Sequence, residues 1–154
     1  MRKRTRSREF ALQILYRLDL NSASIEEVFE DFWKDRTDLA LSDKEKEVIE
    51  LDKKDADIRA YAEQLVKGTF ERLPAIDEVI ERYASNWKVD RMAYVDRNIL
   101  RLSTFELCHL EEVPAKVAIN EAVELAKRYG EPDSSKFVNG ILDKIAKNEC
   151  KPKE

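Results

Sequence analysis

Residues Val113–Ile145 read VPAKVAINEAVELAKRYGEPDSSKFVNGILDKI, and this stretch decides the fold. Pro114 suits the first turn of a helix, where its missing N–H costs nothing. The helix it opens should run through Tyr129 and stop at Gly130, a residue type common just past a helix C-terminus. "EPDSS" (131–135) then reads as a loop, with Asp133 or Ser134 as the next N-cap. A second helix covers about residues 135–147, with Phe137, Val138, Ile141, Leu142 and Ile145 at helical spacing. Amphipathic helices joined by such short links form an antiparallel bundle.

The same pattern extends toward the N-terminus. Asp90 is placed to cap a long helix over about 91–110, preceded by a break at "NWKVDRM" (86–92). Pro74 opens a helix over 74–85 that carries Ile76, Val79, Ile80 and Tyr83 on its apolar face. Before it, residues 55–73 place Ile58, Ala62, Leu65, Val66, Phe70 and Leu73 inward. "SIEE" (24–27) has capping-box spacing between Ser24 and Glu27, and Ile25, Val28, Phe29 and Phe32 follow as a stripe that fades near Asp35. The first helix, over 4–20, gathers Phe10, Ala11, Ile14, Leu15 and Leu18 on one side. Arg6, Gln13 and Arg17 lie opposite, with Arg2 in line and Tyr16 at the edge. Residues 36–54 are charged and weakly periodic. They read as a variable, exposed connection, although Ser42 and Glu45 repeat the capping-box spacing.

No stretch alternates like a strand, and three glycines and four prolines leave few turns. The expectation is an all-α fold: a single domain over 1–154, built as a compact helical bundle of about seven helices. Apolar residues at 43% suffice for a core, and charged residues at 39% suit long solvated helix faces.

Composition narrows the chemistry. His109 is the sole histidine and follows Cys108 directly. Neighbours on a helix point about 100° apart, so the two do not make a nucleophile pair. The glycines are isolated, so no phosphate-cradling loop is present. Residues 36–54 are rich in acids but lack the spacing of a calcium loop. Catalytic residues, metals and cofactors are therefore not expected, and paired carboxylates such as Glu121 and Glu124 read as solvated faces. Cys108 and Cys150 are unclustered, which suits a reducing, cytoplasmic setting. No apolar run approaches a membrane span. Gln13, Arg17 and Asp19 interrupt the one segment that resembles a signal sequence.

The charge distribution is more informative. The net charge is −4, yet the first eight residues hold five of the 28 basic residues and none of the 32 acidic ones. Arg2, Lys3, Arg4, Arg6 and Arg8 are a local site for a polyanion, or else a solvated terminus. As a helix, the block puts Arg6 on the ridge of Gln13 and Arg17, while Arg4 and Arg8 project elsewhere. As a flexible arm, it would fold on RNA. Five phosphate contacts to a single strand would give a salt slope of roughly −3.5. Tyr16 is placed to stack on a base or to edge the core. "DSSKFVNG" sets Ser134, Ser135, Lys136 and Asn139 at a helix start, where N–H groups bind phosphate. Periodicity directs Phe137 to the core.

"REFALQILY", "VDRNILRLSTFEL" and "VPAKVAINEAVELAKRYGEPDSSKFVNGILDKI", in this order, resemble the NusB family of transcription antitermination factors. The resemblance covers almost the whole chain, apart from residues 36–54. It implies two packed three-helix bundles and no enzymatic activity. It also implies binding of single-stranded boxA RNA together with a small-subunit ribosomal protein, NusE. That complex joins RNA polymerase and other Nus factors to suppress termination, notably in ribosomal RNA operons. By resemblance, Arg4, Arg6 and Arg8 belong to the arginine motif, here interrupted by Thr5. Gln13, Tyr16, Asp133 and Phe137 lie at RNA-facing positions, and Asp96 and Arg101 lie near the RNA and ribosomal-protein surfaces. The lesser alternatives are a NusB-like module of a ribosomal RNA methyltransferase and a protein-only helical adaptor.

Overall fold

A computed structural model describes residues 2–21, 23–43, 45–85 and 87–150, with side chains for 3–21, 23–34, 56–85 and 87–150. Among the described residues there are seven α-helices, one 3-10 turn and no strand: α1 (Arg2–Leu20), α2 (Ile25–Asp43), α3 (Glu45–Glu71), α4 (Leu73–Tyr83), the 3-10 turn Val89–Arg91, α5 (Tyr94–His109), α6 (Ala115–Tyr129) and α7 (Ser134–Asn148). The chain divides into two compact units, Met1–Lys67 and Gly68–Glu154.

In the first unit, α1 buries Phe10, Ala11, Ile14 and Leu15, α2 buries Val28, Phe29 and Phe32, and α3 buries Tyr61, Ala62, Leu65 and Val66. Phe10, Phe32 and Trp33 meet edge to face, with centroids 4.9–5.8 Å apart. This geometry sets the positive ring edge against the negative face. The Trp33 indole N–H is not left unpaired; it donates to Glu63 Oε2 on α3 at 2.8 Å. Ser24 Oγ accepts the Glu27 N–H at 3.2 Å, as its capping spacing implies.

Two expectations change here. The apolar stripe of α2 fades near Asp35, but the helix itself continues to Asp43, and α3 already begins at Glu45. Most of the expected connection at 36–54 is therefore helical backbone. Charged residues are adequate helix formers, and solvated helices need no apolar stripe at every turn. The exposure expected of 36–54, and the Ser42–Glu45 cap, lie outside the described side chains. Phe70, expected inward, is 43% exposed.

In the second unit, α6 and α7 form the expected hairpin, and α5 packs on both. Buried Ile99, Leu102, Ala118, Ala122, Leu125, Val138, Leu142 and Ile145 fill it. Pro74 sits in the first turn of α4, as read from the sequence. Asp90, in contrast, caps no helix. It lies in the 3-10 turn, and α5 starts only at Tyr94 after extended backbone at Met92. Polar contacts from the two flanking helices, α4 and α5, hold this turn. Glu81 Oε2 accepts the Val89 N–H at 2.8 Å, and the buried Arg97 donates to the carbonyls of Val89 and Asp90.

Gly130 ends α6, but not through left-handed backbone: its φ is −98°. The requirement is space. A Cβ at Gly130 would lie 2.6 Å from Ser134 Oγ and 2.9 Å from the Ala126 carbonyl oxygen. The chain turns tightly here because Ser134, nearly fully buried, accepts the Glu131 N–H at 2.9 Å.

Candidate nucleic-acid interface

The basic block is part of α1, not a separate arm. Buried Ser7 explains why. Its hydroxyl lies 2.8 Å from the Ile58 carbonyl oxygen of α3 and 3.0 Å from that of Lys3. Four residues apart, Arg4 and Arg8 both lie over the Tyr61 ring, at 4.1 and 5.8 Å from its centroid. Cation–π attraction of this kind contributes about 0.5–2 kcal/mol. Tyr61 is itself buried, so the ring is a fixed base beneath the guanidinium of Arg4. Sequence reading missed Tyr61. Its only signal is an aromatic residue beside the apolar stripe of α3.

The three arginines differ in access. Arg4 and Arg6 are exposed, whereas Arg8 is only 4% exposed. Arg8, expected as an RNA contact alongside Arg4 and Arg6, therefore presents little surface to a phosphate. Arg6 sits over Phe10 at 4.8 Å and pairs with Glu9 Oε1 at 3.2 Å, so part of its charge is balanced locally. Glu9 is buried, whereas Lys3 makes a fully exposed pair with Asp57 at 3.4 Å. An exposed pair such as Lys3–Asp57 contributes only about 0–1 kcal/mol, so a phosphate can displace it. On the outer ridge, Gln13 is half-buried and Arg17 lies over Phe32 at 5.1 Å. Tyr16 is 38% exposed, which leaves part of its ring to solvent.

In the second unit, Asp133, Lys136 and Phe137 come together at the start of α7. Asp133 occupies the N-cap position, but its carboxylate makes no capping hydrogen bond and is exposed. Phe137 is half-buried rather than a core residue. It meets Trp87 edge to face, with centroids 6.1 Å apart. Trp87 is 50% exposed and lies in the segment read from the sequence only as a break. An isolated tryptophan in a polar turn was the available signal.

Asp96 and Arg101, the partner-facing candidates, divide. Asp96 is half-buried in the first turn of α5, and its Oδ1 has no hydrogen-bond partner within the described protein. Arg101 is 8% exposed, and its Nε and Nη2 grip both oxygens of Asp77 on α4 at 2.8 and 2.9 Å. A third bond reaches Asn98 Oδ1 at 3.2 Å. That guanidinium ties α4 to α5.

His109 stacks on Phe105 at 5.6 Å, and the Arg72 guanidinium lies over the same ring at 5.7 Å. Burial, then the nearby Arg72 charge, lowers its pKa from the usual histidine value. No group of metal-ligating side chains is found among the described residues. None of their helices is long and apolar enough to cross a membrane.

Fold and surface together define an all-helical protein whose basic first helix and exposed aromatic residues suit a polyanion with bases to stack. Comparison with known proteins specifies the class further. The NusB family model matches residues 5–147. The transcription antitermination protein NusB of Anaeromyxobacter dehalogenans is 46% identical over 144 residues, covering 94% of this chain and 90% of that protein. The solved structure of T. maritima NusB is 36% identical, with a TM-score of 0.76, over 97% of this chain and 93% of that one. A structure of antitermination factors NusB and NusE in complex with dsRNA matches at 32% identity and TM-score 0.76, over 96% and 98% of the two chains. The chain belongs to the NusB family.

Proposed function

We propose that this chain is a non-enzymatic, RNA-binding transcription antitermination factor of the cytoplasm. It takes up boxA-type single-stranded RNA together with the ribosomal protein NusE. Through that complex it joins RNA polymerase and other Nus factors and suppresses termination, notably in ribosomal RNA operons. The observation that carries this reading is the basic stripe built into α1 of an acidic chain, with Arg4 held over the Tyr61 ring. A guanidinium already fixed in place loses little freedom when it meets a phosphate. Arg4 and Arg6 attract phosphates, Gln13 and Tyr16 meet bases, and Asp133, Lys136 and Phe137 form a second contact region. Arg8 acts beneath the surface as a positioning residue. Asp96 serves the partner surface. The whole chain works as one RNA-binding domain.

The solved complex of a relative contains double-stranded RNA, so strandedness belongs in the test. Labelled boxA RNA, a scrambled single strand and a duplex are titrated with this protein, with and without NusE. Tightest binding to single-stranded boxA, strengthened by NusE, supports the reading. Equal affinity for all three RNAs reduces it to nonspecific electrostatics, and salt-independent binding removes the arginine mechanism.

A further inference from the structure

We infer that Trp87, Phe137 and Gly140 form one bare-backed platform on which an unpaired RNA base stacks. Trp87 is its principal stacking residue. The inference rests on the proposed RNA-binding reading and specifies a residue and a device within it.

Three observations converge. First, Trp87 is half exposed, although an indole is among the most costly surfaces to leave in water. Second, Phe137 holds it in place edge to face, so the indole is a fixed surface rather than a loose side chain. The exposed lysines Lys88 and Lys136 adjoin the two rings in sequence and supply attraction for the flanking phosphates. Third, Gly140 lies inside α7, one turn beyond Lys136 and Phe137. It is exposed, its φ is not positive, and an added Cβ would meet nothing within 4 Å. Among the described residues, neither backbone geometry nor packing requires a glycine there. Glycine inside a helix is destabilising relative to alanine, so an approach from outside the protein supplies the reason. A nucleotide stacked on Trp87 and Phe137, with its strand passing over the bare backbone at Gly140, accounts for all three. Stacking on an aromatic ring tolerates any base, so the platform strengthens binding and leaves sequence choice to other contacts.

The test uses the full-length protein and labelled single-stranded boxA RNA, read by anisotropy, with thermal melting of every variant. W87A is expected to weaken binding about 5- to 100-fold, with the salt slope unchanged because no cation is lost. W87F should keep most of the affinity. G140Q should melt roughly 2–4 °C higher, as a better helix former, and yet bind RNA at least ~10-fold more weakly if stacking near the backbone is sterically blocked. Indole fluorescence separates the two tryptophans, since a W33F variant reports Trp87 alone and should be quenched on RNA addition. W87A and G140Q binding within twofold of the parent, with an unquenched Trp87, would overturn the platform while leaving RNA binding intact. The same holds if W87A weakens only NusE capture. No binding by the parent protein would overturn the underlying reading instead.

Discussion

Charge alone does not make a phosphate contact; the access of each guanidinium decides it. Arg4 and Arg8 share the Tyr61 ring, yet one is exposed and the other enclosed. R4A should therefore weaken RNA binding and flatten the salt slope by about 0.7, while losing only the exposed cation–π contact with Tyr61, about 0.5–1 kcal/mol of stability. R8A should do the reverse. It removes buried packing and polar contacts and costs about 1–3 kcal/mol in urea unfolding. If R8A instead lowers the salt slope with stability unchanged, the enclosed role of Arg8 is wrong. Arg101 illustrates the same rule. R101K keeps the charge but loses the two-pronged grip on Asp77, and should destabilise the protein by about 2–3 kcal/mol. Unchanged unfolding midpoints would refute that grip as a structural tie.

Where elements meet, small geometric demands outweigh local propensity. The α6–α7 turn depends on the absence of a side chain at Gly130, not on unusual backbone angles. G130A should cost about 1–3 kcal/mol, because the new methyl group collides with Ser134 and the Ala126 carbonyl. Calorimetry of G130A beside G140A compares the two sites directly, since alanine at the open site should stabilise. The end of α5 carries a pH-dependent term. His109 has its pKa lowered by burial and by Arg72, so the unfolded chain binds more protons near pH 6. Stability should hold above the ordinary histidine value of about 6.5 and fall as pH drops through it, levelling off below the lowered folded value. The H109N variant should lack this component; an unchanged pH profile would exclude His109 as its source. At α4 and α7, the Glu149 carboxylate accepts hydrogen bonds from the Tyr83 hydroxyl and the Arg82 guanidinium, which lower its pKa in that order. This contribution is present above the ordinary carboxylate range and disappears as pH falls through the lowered value.

For the molecule as a whole, an acidic chain concentrates basic residues at the start of its first helix. Lys3, Arg4 and Arg6 are the exposed cations described in the basic block. Replacing all three with glutamine should remove roughly 2 units of salt slope, the share of three contacts at about 0.7 each. This is smaller than five charges would imply, because Arg8 is enclosed and Arg2, outside the described side chains, is left in place. A slope that survives the triple substitution would move the phosphate contacts elsewhere.

Helical class, the α6–α7 hairpin, the Pro74 start, the first-helix apolar face and the concentration of basic charge at the N-terminus were all legible in residue order. Each depends on periodicity or on a residue's own backbone preference, which acts within a few neighbours. The surroundings of Arg8 and Arg101, the steric reason that Gly130 is needed at the end of α6 and the exposure of Trp87 were not legible. Those depend on what distant segments bring alongside: Tyr61 beneath the arginines, Asp77 across from Arg101, Ser134 against Gly130, Phe137 beside the indole. Sequence alone determined which residues carry charge, aromatic surface and helical periodicity. Only the tertiary structure decided which of them reach solvent, because burial and pairing are properties of contacts far apart in the chain.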